Sequence, residues 1–199
     1  MEAIFTAKYE RGGWGGLGSG PGSTLEFNQF TYIPFLQTFI EKYKIQSVVD
    51  LGCGDFQCGP TIYSKFTDIY YIGIDCCQKL IENNQKQYSQ YKFLHSDITV
   101  HPQTIPSADL CILKDVLQHW TTEIITKFLD FLVSSQKFKY ILVINCCNQS
   151  EKDEVFQTGD CRQLSSTKFP LNRYCPKSIY TYSTKEVCLL YPREYPNSN

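Results

Sequence analysis

The chain has 199 residues, enough for one domain of about 100–200 residues and too few for two of ordinary size. Apolar residues make up 42% and aromatic residues 15%, which supplies a packed core and excludes a disordered chain. Lys plus Arg (19) nearly cancels Asp plus Glu (20), so the broad basic field of a nucleic-acid platform is missing and no nucleic-acid partner is expected.

No run approaches the ~18–20 consecutive apolar residues of a membrane span, and Met1 to Arg11 has no basic head followed by an apolar stretch. The sequence therefore reads as a soluble, cytoplasmic protein without a membrane partner. Its 10 cysteines, lacking an export signal, read as reduced thiols. No C-x-x-C occurs and no metal is expected; Cys53 and Cys58 with a distant His are the only alternative ligand set.

Gly12 to Gly22 is so rich in glycine that it predicts a mobile loop carrying one large side chain, Trp14. From Ser23 or Thr24, Phe27, Phe30, Ile33, Phe35, Leu36, Phe39, Ile40 and Tyr43 recur at helical spacing, and Pro34 is expected to kink or split that helix. Val48 to Leu51 predicts a strand ended by glycines, Thr61 to Phe66 a short helix, and Tyr70 to Asp75 a second strand. Gln78 to Gln90 reads as a polar surface helix and Tyr91 to Leu94 as a third strand. Asp109 to Lys114 is a fourth, Thr121 to Val133 a helix with Ile124, Ile125, Phe128, Leu129 and Leu132 inward, and Tyr140 to Asn145 a fifth strand. Such alternation means an α/β chain with a mostly parallel sheet and right-handed crossovers. Cys146 to Lys177 is then a long connection bearing Arg162, Lys168 and Arg173, and a connection of that length is usually functional. Ser178 to Tyr182 and Val187 to Tyr191, separated by Ser183 to Glu186, predict a terminal antiparallel hairpin.

In an open parallel sheet, ligands bind beyond the carboxyl ends of the strands. After the first strand come Asp50-Leu51-Gly52-Cys53-Gly54-Asp55-Phe56, whose glycines let the backbone approach a ligand. The second ends in Asp75 and Cys76, about 20 residues later, where a carboxylate can accept from both hydroxyls of a ribose. Ser96-Asp97-Ile98 follow the third, with Asp97 able to bind an adenine amino group, and Lys114-Asp115 begin the turn after the fourth. Together these positions imply an adenosine-containing cofactor.

The runs VVDLGCGDF, YIGID, HSDI and ADLCILKDVLQHW, in that order between about Gln46 and Asn145, resemble the class I S-adenosylmethionine-dependent methyltransferases. The resemblance implies a Rossmann-like, doubly wound sheet of seven strands with a last antiparallel strand inserted beside the fifth. It divides a single domain into an arm and helix (1–45), a cofactor-binding core (46–145) and a substrate side (146–199). It implies S-adenosylmethionine as cofactor and S-adenosylhomocysteine as product. Asp50, Gly52 and Gly54, with Cys53 beside them, would form the methionine-side turn, Asp75 the ribose contact, Asp97 the adenine contact, and Lys114 with Asp115 the floor below the sulfonium. Many members carry a third glycine where this chain has Phe56, so the carboxylate end of the cofactor must be held differently. The Trp14 to Ser23 segment resembles a glycine-serine segment preceding the core in some small members; its backbone N–H groups, with Ser19 and Ser23, could form a nest for that carboxylate. The alternative is an unstructured arm. A dinucleotide dehydrogenase shares the strand, turn and acid logic but needs glycine where Gln57 stands.

A hydroxyl or protonated amine acceptor needs a base of suitable pKa, and His119 is the first candidate, Asp115 the second. Their structural alternatives are a capping or core histidine and a helix N-cap. With no separate substrate domain, the pocket is roofed by the arm and the connection, or by the second subunit of a homodimer. Arg162 and Arg173 could grip a phosphate and Tyr174 stack on a ring, which points to a small-molecule acceptor such as a nucleotide-linked or phosphorylated sugar. A protein or RNA methyltransferase, and a non-catalytic cofactor-binding protein, are the alternatives.

Overall fold

A computed structural model describes residues 1–148 and 157–192; part of the long connection, 149–156, lies outside the described residues. Seven strands form one sheet in the order β3-β2-β1-β4-β5-β7-β6, and the chain divides into two compact units, Met1–Ile98 and Thr99–Asn199.

The first unit opens with a helix that the sequence reading did not anticipate, α1 (Glu2–Glu10), in which no residue is buried. Without an apolar face, it carries no periodic signal to read. The glycine segment is a loop of successive turns, with Gly12, Gly15, Gly16, Gly18 and Gly20 at positive φ. The helix expected from Ser23 onward, kinked or split at Pro34, is split into α2 (Leu25–Asn28) and α3 (Tyr32–Tyr43). Thr24 caps α2, its hydroxyl accepting from the Phe27 N–H at 3.3 Å. The break falls before Pro34, which occupies the first turn of α3, where a missing N–H has no carbonyl to lose. Phe30, expected on the apolar face, falls in that break and is 84% exposed. Tyr32, Ile33, Leu36, Phe39 and Ile40 form the buried stripe. Strands β1 (Ser47–Leu51), β2 (Tyr70–Asp75) and β3 (Lys92–His95) pair in parallel, Asp50 opposite Gly73 and Gly73 opposite Phe93. Helix α4 (Gly59–Tyr63) starts two residues earlier than predicted, and α5 (Gln78–Gln87) buries only Ile81 and Asn84.

In the second unit, β4 (Ala108–Lys114) and β5 (Phe138–Cys146) pair in parallel and are apolar almost throughout, as strands covered on both faces must be. Helix α6 (Thr122–Ser134) is capped by Thr121 and turns Ile125, Phe128, Leu129, Leu132 and Val133 inward. The terminal hairpin is β6 (Lys177–Tyr182) and β7 (Lys185–Leu190), joined across Ser183, at φ 50°, and Thr184. Lys185 and Glu186, expected in the turn, belong to β7. That strand is buried along its length and inserts antiparallel beside β5, Ile144 opposite Val187, leaving β6 at the edge.

Candidate functional site

In the first unit the carboxyl ends of β1 to β3 meet along one edge, with Asp75 at their centre. The N–H groups of Gly52 and Cys53 both donate to the Ile74 carbonyl, at 2.7 and 3.1 Å, which folds the turn back over β2. Gly52 and Gly54 hold φ of 77° and 57°, where glycine carries no steric penalty. The N–H of Gly54 then donates to Asp75 Oδ2 at 3.1 Å and the N–H of Cys77 to Oδ1 at 2.9 Å. One carboxylate thus ties the glycine turn to the start of α5. Burial pushes its carboxyl up, against the opposing effect of these N–H donors. The Cys76 N–H and the Cys77 thiol also hydrogen-bond to this carboxylate.

Around it, Asp50 accepts from the Tyr71 hydroxyl at 2.9 Å. The N–H of Ser96 donates to the Asp75 carbonyl at 3.0 Å, Ile98 is buried, and the Asp97 carboxylate pairs with the Met1 amino group at 3.0 Å. The ligand atoms of Asp75, Cys76 and Cys77 lie within 4.8 Å of one another. The Cys77 interaction, burial and Asp75 all push the Cys76 thiol well above its ordinary pKa. Burial likewise pushes the Cys53 thiol up. All 10 cysteines are free thiols.

Phe56 stands where the resemblance implies a third glycine. It holds φ 58° yet is 4% exposed, its ring packed 4.8 Å from Tyr71 and 5.1 Å from Phe93 between centroids. A left-handed residue costs about 1–2 kcal/mol, whereas losing a buried phenylalanine costs about 3–5 kcal/mol, so packing wins. Trp14 lies within the arm, edge-on to Tyr9 at 4.9 Å and stacked on Phe5. Ser19 bonds to Asp55 through both its N–H and its hydroxyl, at 2.9 Å each. The Ser23 carbonyl accepts from the Cys58 thiol at 3.3 Å.

In the second unit the carboxyl ends of β4 and β5 gather most of the buried polar side chains. Asp115, at φ 60°, accepts from Lys114 Nζ at 2.7 Å and from Lys185 Nζ at 2.5 Å. Burial alone would raise this carboxyl, but the two ammonium groups overturn that and hold it below the usual carboxylate range. Lys185 also donates to Cys146 Sγ at 3.4 Å. His119, 8% exposed, has Nδ1 2.5 Å from the Asp160 carbonyl. A carbonyl only accepts, so Nδ1 carries a proton. The adjoining Gln118 accepts from the Cys146 N–H at 3.1 Å.

Arg162 is drawn to the same place: its N–H donates to the Gln118 carbonyl at 3.1 Å and its Nη1 to Thr122 at 3.0 Å. Arg173 and Tyr174 go elsewhere, both to Asp130, at 3.2 and 3.0 Å. Thr122 and Asp130 are eight residues apart on α6, roughly 12 Å at 1.5 Å per residue, so the two arginines are not brought to one phosphate. Asn84, Asp55, Tyr9 and Lys185 escaped the sequence reading. Asn84, whose amide donates to the Gly54 carbonyl at 2.7 Å, was signalled by its place three residues after Ile81 on the inward face of α5.

The O-methyltransferase domain family model matches residues 28–164. No curated protein sequence matches the chain. Among solved structures, human N-acetylserotonin methyltransferase in complex with SAM is 18% identical with a TM-score of 0.64, covering 84% of this chain and 53% of that one. The mitomycin 7-O-methyltransferase MmcR is 15% identical with a TM-score of 0.59, covering 75% and 50%. The methyltransferase domain of bacterial CtHen1-C is 10% identical with a TM-score of 0.61, covering 80% and 95%. At these identities the likeness is one of fold. The chain spans about half the length of the first two proteins.

Proposed function

This chain belongs to the O-methyltransferase domain family, and we propose on that premise that it transfers a methyl group from S-adenosylmethionine to an oxygen of a small acceptor. The observation that carries the reading is Asp75, a buried carboxylate at the end of β2 held by the N–H groups of Gly54 and Cys77. An acid at the end of β2, beside a glycine turn, is placed where a ribose would lie, in exchange for the Cys76 and Cys77 contacts it makes here, and Asp97 beyond β3, paired here with the Met1 amino group, is placed for an adenine amine. The two carboxylates of this edge, as hydrogen-bond acceptors, match the hydroxyls and amine of the cofactor's adenosine. The cofactor supplies a methyl group on a sulfonium already activated towards in-line displacement.

The chain's own residues have two tasks: to align the acceptor and to take its proton. His119 does the second. Its Nδ1 lies on the Asp160 carbonyl, a contact that would stabilise the imidazolium formed when the ring takes the hydroxyl proton. Asp115 is the weaker base, since Lys114 and Lys185 hold its carboxyl down; its task is to fix the end of β4. For the acceptor we propose a hydroxylated small molecule, with nucleotide-linked and phosphorylated sugars as the first class to screen. Arg162, whose buried guanidinium donates to Thr122, supports that class. We place the protein in the cytoplasm, where 10 free thiols stay reduced.

Transfer of labelled methyl from S-adenosylmethionine to a panel of hydroxylated acceptors, with and without phosphate, tests the assignment. His119→Ala is expected to lower turnover by about 10²–10⁴-fold with S-adenosylhomocysteine affinity unchanged. Label appearing only in protein or RNA would replace the small-molecule acceptor.

A further inference from the structure

The N-terminal arm runs along the carboxyl edge of the first unit and, besides the Met1–Asp97 ion pair, is fastened at three points. Glu2 lies 3.3 Å from His95 at the end of β3, and the Thr6 hydroxyl donates to Cys77 beyond β2 at 3.7 Å. The third fastening is the most elaborate. Ser19 N–H donates to Asp55 Oδ2 while the Asp55 N–H donates to Ser19 Oγ, each at 2.9 Å. Tyr9 completes it, its hydroxyl sharing a hydrogen bond with Ser19 Oγ at 2.9 Å, and Gln57 donates to Asp55 Oδ2 at 2.7 Å.

Two glycines are shaped to this closure. A Cβ on Gly18 would lie 1.9 Å from Asp55 Oδ2, and one on Gly54 would lie 2.3 Å from Ser19 Oγ and 3.4 Å from the Tyr9 hydroxyl. The backbones of arm and turn therefore approach as only glycine allows. Burial raises the Tyr9 phenol far above its ordinary pKa, with Asp75 and Asp55 adding to the effect, so it stays a neutral partner of Ser19.

We propose that this arm is a strap across the cofactor edge and that Ser19 and Asp55, with Tyr9, are positioning residues that fasten it, so that cofactor exchange requires the Ser19–Asp55 pair to open. The proposal rests on the S-adenosylmethionine reading above. It changes the role of Ser19 from a contact with the cofactor's carboxylate to the clasp that holds the arm, because its N–H and hydroxyl are committed to Asp55 and Tyr9. Losing such a bond corresponds to roughly tenfold in an equilibrium constant.

The test uses the full chain and two readouts: trypsin cleavage at Arg11 in the ligand-free protein, and the dissociation rate of S-adenosylhomocysteine. Ser19→Ala, Asp55→Ala and Gly18→Ala are each expected to raise cleavage at Arg11 and to speed dissociation about tenfold. Asp55→Asn, which keeps an acceptor oxygen, is expected to restore most of both. Far-ultraviolet dichroism of each variant establishes that the core has folded, and Tyr9→Phe, which removes one hydroxyl from an intact ring, serves if the others do not fold. Unchanged cleavage and dissociation overturn the strap, as does faster cleavage with unchanged dissociation. If the wild-type chain binds no S-adenosylhomocysteine, the cofactor reading fails and the strap's role falls with it, while cleavage at Arg11 still reports whether the clasp exists.

Discussion

Asp115 sits between two ammonium groups, and that placement makes its contribution to stability depend on pH. The folded-state pKa lies below the unfolded value of about 3.9, so the unfolded chain binds the proton more readily in acid. The stabilisation is complete above the unfolded pKa and is lost as pH falls through the folded one. Lys185 moves the other way: burial lowers it, Asp115 raises it by more, and its contribution persists until pH rises through the raised value. Removing one partner of a buried pair costs about 3–5 kcal/mol, and Lys114 remains to hold Asp115, so Lys185→Met is expected to cost about 3 kcal/mol at pH 7. Urea unfolding is expected to show the gap to wild type closing as pH falls below about 4. A gap independent of pH would mean that Lys185 acts only by packing.

Among the elements, α3 shows how far pattern reading carries. Its apolar spacing is plain in the sequence, and so is the proline, but the sequence does not say which turn of the helix receives Pro34. Position decides the energetics: inside a helix proline costs about 3 kcal/mol, in the first turn almost nothing. Pro34→Ala is therefore expected to change stability by less than about 0.5 kcal/mol in thermal unfolding. A gain near 3 kcal/mol would put the proline back inside a continuous helix. The strands and α6 were legible for a simple reason, since each buries an apolar run or stripe that shows in one dimension. Helix α1 buries no residue and left no such trace. In β7 the hairpin was legible, but Lys185 and Glu186 resemble turn residues until their buried partners, Asp115 and Ser166, are known.

For the molecule as a whole, net charge near zero and 42% apolar residues leave function to be read from where polar groups are buried. Asp75 and Asn84 mark the first unit's edge; Gln118, His119, Asn145, Arg162, Ser166, Lys185 and Glu186 mark the second unit. The first set was half legible, because a turn, an acid and their spacing lie within one short stretch. The second was legible only at His119 and Arg162, since it joins residues from 118 to 186 that only the fold assembles. The central claim is that the first unit's edge holds S-adenosylmethionine, and calorimetric titration of the wild-type chain with S-adenosylhomocysteine, with NAD as control, tests it most directly. Saturable binding in the micromolar range with no heat from NAD is the predicted result. NAD binding, or no heat from the sulfur ligand, would contradict it.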